Sequence, residues 1–439
     1  MRAIVLTLVY IVLVWMSFGR PWMGILIWSW FSYMNPHRFA WGFAYTFPWV
    51  AVTAGLTVWL WAASKEKKRF PLTIQTGLEI ALCFWITITT SFALGDPDVA
   101  WSYWDRAIKV QAMIFMTLCI MQTQFRLNAL IWTIAASIGF FGVKGGIWTL
   151  MTGGHYRVQG PERTFIEGNN ELGLALVMVL PLMHYLQLQA KSKWLRRGLV
   201  AAQLLTAVAV LATYSRGGLI ALLVVGFLLW LKSRRKLLLA TVMVLFAVPM
   251  FKFMPAEWKD RMHTIKDVDE EDMDASAVGR LNAWRFALAL VADRPITGGG
   301  FRVFISPAFA KYAPDPRNRH DAHSIYFEAL GEHGIPGLLI FLSLGVTTWF
   351  TGRRIVRQVK RIPELAWMGD MVNMTLVGLA GYATGGAFAG LAFFDLPYHL
   401  MAIVVLCKVI LQDHLRAAAR QERERIMAAR FESGIPQPV

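Results

Sequence analysis

Apolar runs long enough to cross a bilayer recur along almost the whole chain, and nothing else in the sequence restricts the fold as much. Backbone N–H and C=O groups in lipid must be satisfied within the spanning structure, and a helix does this within its own segment. About 20 consecutive apolar residues of helix span the hydrocarbon core. Such runs lie near 2–18, 43–63, 72–94, 107–121, 128–151, 171–189, 198–214, 217–231, 237–253, 334–351, 371–392 and 396–412. They predict an all-α polytopic membrane bundle of about 12 transmembrane helices. With 439 residues at 56% hydrophobic and 16% charged, the chain carries more apolar surface than soluble cores of this size hide, which excludes a soluble enzyme. No cleavage site follows the first run, where Arg20-Pro21-Trp22 comes next, so it reads as a retained helix. Residues 21–34 are apolar but span only about 21 Å as a helix, short of a core about 30 Å thick. They are expected to form a half-helix or interfacial hairpin, leaving both termini on one side.

The formal charge is +16, carried in short clusters at 65–69, 191–197, 232–236 and 353–361. These fall in alternate connections, which the positive-inside rule makes cytoplasmic. Basic loops between apolar runs explain the charge without nucleic acid as a partner. The connections 95–106, 152–170 and 254–333 are then external, where any chemistry is expected. Cys83, Cys119 and Cys407 lie in apolar runs and read as packing residues rather than disulfide or zinc ligands. The chain divides into a transmembrane half (1–200), a central unit with the large loop (201–352), further transmembrane helices (353–412) and a basic amphipathic cytoplasmic tail (413–439).

The 254–333 connection is large enough for a small, mainly helical domain. An acidic run at 267–274 looks solvated. Over 277–292 a helix is expected, capped by Ser276, with Leu281, Trp284, Leu288 and Val291 on one apolar face and Arg280 and Arg285 off it. Pro295 ends it, and Gly298-Gly299-Gly300 allows a tight turn or close approach to a ligand. A second helical stretch is expected from near His320 to Gly334, with Ile335-Pro336-Gly337 re-entering the membrane. Lys144, inside an apolar run, should point into the bundle toward Glu171 or a phosphate.

Three successive motifs resemble those of the O-antigen ligase and polymerase superfamily. They are Thr213 to Gly218, then Gly279-Arg280 with Trp284 and 295–300, then His323-Ser324 with 332–338. Gly160-Pro161 and Asn169-Asn170-Glu171 are similar to the exosortase-associated O-glycosylation ligase subgroup. Ser324 stands where the family often has Asn, so no amide role is carried over. The resemblance implies transfer of a glycan from undecaprenyl diphosphate to an acceptor hydroxyl, at the periplasmic side of a bacterial inner membrane, with no cofactor and no metal. The acceptor is lipid A core or another surface acceptor. A polymerase, a protein O-glycosylation ligase and, outside enzymes, a flippase for lipid-linked polymers remain alternatives.

The residues carry that chemistry in their own right. Guanidinium groups hold a diphosphate leaving group through fixed, bidentate donors, which suits Arg216 at the external end of a membrane helix and Arg280 in the loop helix. Histidine takes a proton near neutral pH, and His323 is the candidate general base. Further substrate-binding candidates are Arg157, Arg163, Asn170, Arg285, His320 and Tyr326. Each has a structural alternative: interfacial arginines, an Asn helix cap, and packing at the loop base for Tyr326 and Glu328. His320, read as one helical turn from His323, either orients it or is simply exposed. The Asp96-Pro97-Asp98 pair resembles a metal-binding carboxylate pair, but such short matches are common by chance.

Overall fold

Small polar residues fix where the helices begin. Thr73 and Thr76 form a reciprocal capping box, Asp96 caps the helix that Pro97 opens, and Thr123 and Ser215 cap two more. The structure, a computed structural model, describes residues 1–233, 235–263 and 275–432, so the 267–274 acidic run lies outside the described residues. In chain order the helices are α1 (Arg2–Ser17), α2 (Pro21–Tyr33), α3 (Phe43–Thr46), α4 (Trp49–Ala63), α5 (Ile74–Ser91), α6 (Pro97–Ile120), α7 (Gln124–Met151), α8 (Asn169–Gln189), α9 (Lys193–Ala212) and α10 (Arg216–Lys232). They continue as α11 (Lys236–Phe253), α12 (Ala256–His263), α13 (Ala275–Asp293), α14 (Phe309–Tyr312), α15 (Ile325–Val359), α16 (Ala366–Gly385) and α17 (Asp395–Glu432). No strand occurs among the described residues, so the chain is all-α as the apolar runs require.

Helices α7, α8, α9 and α15 are long and apolar enough to cross a membrane, while α1, α4 and most of α11 are shorter apolar helices. The protein is an integral membrane helical bundle with α8 at its centre, buried without interruption from Leu172 to Met183 and packed on α7, α9, α10 and α16. Lipid offers helices no hydrophobic drive to associate, so close backbone approach through small residues does much of the work. A Cβ added to Gly146 of α7 would lie 2.1 Å from the Leu205 carbonyl oxygen of α9, and one on Gly142 would lie 2.4 Å from Thr206 Oγ1.

Helix α2 corrects the expected interfacial hairpin. It has no exposed residue, being buried on most of its surface and half-buried along Trp22, Leu26 and Trp30, and runs antiparallel to α4, with Gly24 against Thr57 and Phe31 stacked on Trp49. Its start meets the start of α7 through Trp22 and Phe125, and its end meets the start of α17, where Tyr33 bonds His399 and Ser32 bonds Asp395. Phe18 lies on Trp59 and Tyr10 on Trp49, so α1 runs parallel to α4. Arg69, in the connection between α4 and α5, pairs with Asp413 at 2.7 Å. The start of α1 and the last turns of α17 therefore lie at opposite ends of the bundle, not at the same end. A short helix needs no interfacial resting place when its neighbours leave none of its residues exposed. The tail is likewise no separate helix, because α17 continues unbroken from Asp395 to Glu432.

Lys144 is also corrected. It is exposed on α7 with its ammonium 5.5 Å from the Phe39 ring centre, a snorkelling cation over an aromatic face rather than a group turned into the bundle. The end-to-end arrangement is testable with single cysteines in a chain lacking Cys83, Cys119 and Cys407. Arg2→Cys and Arg317→Cys should be labelled from the same side by an impermeant maleimide, and Arg420→Cys from the other. Joint labelling of the first and last positions would restore the hairpin.

Candidate functional site

Backbone hydrogen bonds dock the 294–300 segment onto α15. Gly299 N–H donates to the Gly331 carbonyl (2.9 Å), Gly300 N–H to that of Glu332 (2.8 Å), and Ile335 N–H to that of Pro295 (2.8 Å). Gly334 breaks α15 here at φ +68°, and Gly298 and Gly300 are also left-handed, which residues with a Cβ rarely adopt. The glycines let one backbone reach another, not a ligand.

Above this clasp, α13 buries Ala283, Phe286, Ala287 and Leu290. Phe286 packs on Phe304 (5.3 Å) and Phe309 (4.7 Å), and Leu288 is 56% exposed. The expected stripe was displaced because the partner is the 303–312 segment, whose aromatic rings recruit Phe286. Trp284 stacks on Phe327 (4.8 Å) and donates to the Ala322 carbonyl (2.8 Å), while Asn282 Nδ2 donates to the carbonyls of Asp315 and Asn318. Gly279 packs on the His320 ring, where a Cβ would lie 2.7 Å from Nδ1. The start of α13, with half-buried Arg280, is thereby held beside 320–323.

His323 precedes α15 instead of lying within a helix, so the expected helix start near His320 is corrected to Ile325. His320 and His323 are not one helical turn apart. The His323 backbone is left-handed at φ +42°. Its Nδ1 lies 3.8 Å from Glu171 Oε1, with the imidazole a third exposed and the carboxylate 17% exposed. Glu171 occupies the first turn of α8. The neighbouring Asn169 is not a cap: Gly168 holds that position, and Asn169 Nδ2 donates to the Thr213 carbonyl at 2.7 Å. This ties the start of α8 to the 213–216 corner, where Ser215 Oγ accepts from Gly218 N–H and α10 begins at half-buried Arg216. Gly217 packs on Phe388, and Gly386 on Ile325. The N-termini of α8, α10 and α15 thus meet around the 386–390 segment, and each carries partial positive charge and unsatisfied N–H groups.

The remaining candidates separate clearly. Asn170 sits beside Glu171 in the first turn of α8. Arg157 is exposed 5.5 Å from the Tyr214 ring, and exposed Arg163 uses its N–H on Glu167 Oε2. Arg285 is exposed on α13, and the Tyr326 hydroxyl donates to the Ala383 carbonyl, tying α15 to α16. Asp96 is an N-cap, its Oδ1 accepting from Asp98 N–H. Sequence reasoning missed Glu171 as a partner of His323, and missed Arg302 altogether. Arg302 pairs with Asp321 at 3.0 Å; burial works against its charge, but Asp321, Tyr103 and Glu332 outweigh this and hold its pKa above the usual value. One structural signal marks these places. Of five non-glycine residues with positive φ among the described residues, Arg163, Tyr214, Arg302 and His323 belong to segments around this site, and strained backbone is a recognised companion of function.

Comparison with known proteins gives two matches: residues 201–342 match the family described as O-antigen ligase, and residues 1–191 match a family of unknown function. No curated protein matches the chain.

The Trp284 contacts should hold the 313–324 segment in place. Trp284→Ala is expected to lower stability by about 2–3 kcal/mol, read as a lower Tm in detergent, and to open 313–324 to limited proteolysis. An unchanged Tm and cleavage pattern would remove Trp284 from that role.

Proposed function

We propose, from the match of residues 201–342 to the family described as O-antigen ligase, that the chain transfers a glycan from undecaprenyl diphosphate to an acceptor hydroxyl at the external face of the inner membrane. The acceptor oxygen attacks the anomeric carbon, the bond from that carbon to the phosphate oxygen breaks, and the diphosphate leaves with the electron pair. His323 takes the hydroxyl proton through Nε2. Glu171, facing Nδ1 at 3.8 Å, orients the ring and favours the imidazolium that forms, as a carboxylate behind a catalytic histidine does elsewhere. Arg216 and Arg280 neutralise the charge that grows on the diphosphate, assisted by the positive ends of α8, α10 and α15.

The observation that carries this reading is the facing of His323 and Glu171 beside the first turn of α10, where Arg216 begins the helix. Charge neutralisation by arginines leaves no step that requires a metal, so turnover is expected to survive exhaustive chelation. The acceptor in this reading is lipid A core. A second lipid-linked glycan would make the same chemistry a polymerase, and a protein acceptor an O-glycosylation ligase.

Reconstitution in liposomes with donor and candidate acceptors, read by gel shift and mass spectrometry, tests reaction class and acceptor together. His323→Ala should lose about 10²- to 10⁴-fold in rate with donor binding little changed. Arg216→Lys keeps a charge but loses the planar fork, so donor engagement and rate should fall together. Glu171→Gln should lower the rate, with donor binding little changed, as the imidazole loses the carboxylate that faces it. Near-normal turnover by folded His323→Gln would remove His323 from the chemistry.

A further inference from the structure

Gly390 lies between the His323 backbone and a polar cavity. A Cβ at this position would lie 3.8 Å from the His323 Cα and 3.5 Å from Glu328 Oε2, and Gly390 and Glu328 both line a cavity of about 170 Å³. The cavity has room for about six waters at liquid density, a space of sugar-ring scale rather than chain scale. Its wall comes from five parts of the chain: Tyr103 and Arg106 of α6, Phe165 of the 152–168 connection, Phe301 and Arg302 after the glycine clasp, Glu328 and Glu332 of α15, and the 390–394 segment. The larger cavities elsewhere are lined almost wholly by apolar side chains of the bundle.

Most of this wall is already engaged. Arg106 lies 3.9 Å over the Phe165 ring, Arg302 holds Asp321 and lies 4.9 Å over Tyr103, and Glu328 Oε2 accepts from Ala392 N–H at 3.1 Å. Glu332 Oε1 accepts from Arg302 N–H at 2.7 Å. Two buried atoms of the wall are the exceptions: Arg302 Nε and Glu332 Oε2 have no hydrogen-bond partner in the protein. Glu332 is 4% exposed, and its Oε2 lies 3.9 Å from His333 Nε2. A buried carboxylate oxygen without a donor is costly, and its position on a cavity wall marks where a ligand's donor would be stabilised.

We propose that this cavity is a subsite for one sugar ring, with a sugar hydroxyl donating to Glu332 Oε2. Two arginines, Arg106 and Arg302, stand against three carboxyl groups, Glu328, Glu332 and the Asp321 that Arg302 pairs with, a balance that does not favour a bare anion. A ring with several hydroxyls supplies donors to the carboxylates and acceptors to Arg106 together. Its C–H face meets the aromatic walls at Phe165 and Phe301. The source of the ring rests on the proposed transfer reaction: it belongs either to the donor's first sugar or to the acceptor's terminal sugar, both of which meet at His323.

Binding to the full chain in nanodiscs tests this with three probes: undecaprenyl diphosphate without sugar, undecaprenyl diphosphate bearing N-acetylglucosamine, and lipid A core oligosaccharide. Glu332→Gln keeps the acceptor for Arg302 N–H while putting an NH2 group in place of Oε2, and Ala107→Leu fills the cavity from α6, where Ala107 is buried on its wall. Both variants should weaken one sugar-bearing probe about tenfold and leave the sugar-free carrier unchanged. Loss on the carrier with N-acetylglucosamine assigns the ring to the donor, and loss on the core oligosaccharide assigns it to the acceptor. Wild-type affinity for all three probes in both folded variants would overturn the proposal, as would equal weakening of the sugar-free carrier. Because only binding is read, an absence of transfer by the wild-type protein would sink the ligase reading while leaving this assignment standing.

Discussion

The backbone clasp between 294–300 and the break in α15 is the contact on which the external layer depends. Membrane helices satisfy their own hydrogen bonds and can be packed by small residues, but an irregular segment at the surface has no such internal solution. Here it borrows the carbonyls of Gly331 and Glu332, which are accessible because Gly334 ends the helical path at that point. Through this contact α13 and its Phe286 cluster are registered against α15, and Arg302 is carried to Asp321 and Glu332. The positions of Arg280, His323 and the polar cavity follow from that registration.

The site is assembled from both halves of the chain. Glu171, Asn169 and Arg106 come from the part that matches a family of unknown function, whereas Arg216, Arg280, Arg302 and His323 come from the ligase segment. Asn169 reaching Thr213, and Glu171 facing His323, are the contacts that join the two. The N-terminal half is thus part of the site's wall and not only a membrane anchor.

What could be read in advance follows from which interactions are local. The apolar runs, the turn at 213–216, the helix near 275–293 and the break at Gly334 each depend on neighbours within a few residues, and all were legible. The face of α13 was not, because Ala283 and Phe286 are selected by a partner segment with no periodicity of its own. Helix α2 looked too short to cross because length is judged against lipid, whereas its surroundings are other helices. The helix start after His323 failed for a similar reason: the 320–324 segment is fixed by Trp284 and Gly279 from another element, which overrides its helical pattern. The facing of Glu171 and His323 leaves no trace in spacing, since one lies on α8 and the other in the segment before α15, in different halves.

The left-handed backbone at His323 has a consequence for how the protein can vary. An L-residue there carries a steric cost of about 1–2 kcal/mol that glycine escapes, so the position is held in a conformation that its own side chain opposes. Stability and imidazole therefore pull in opposite directions at one residue. A selection for heat resistance alone should drift to glycine at 323 and return a firmer protein without the proposed base.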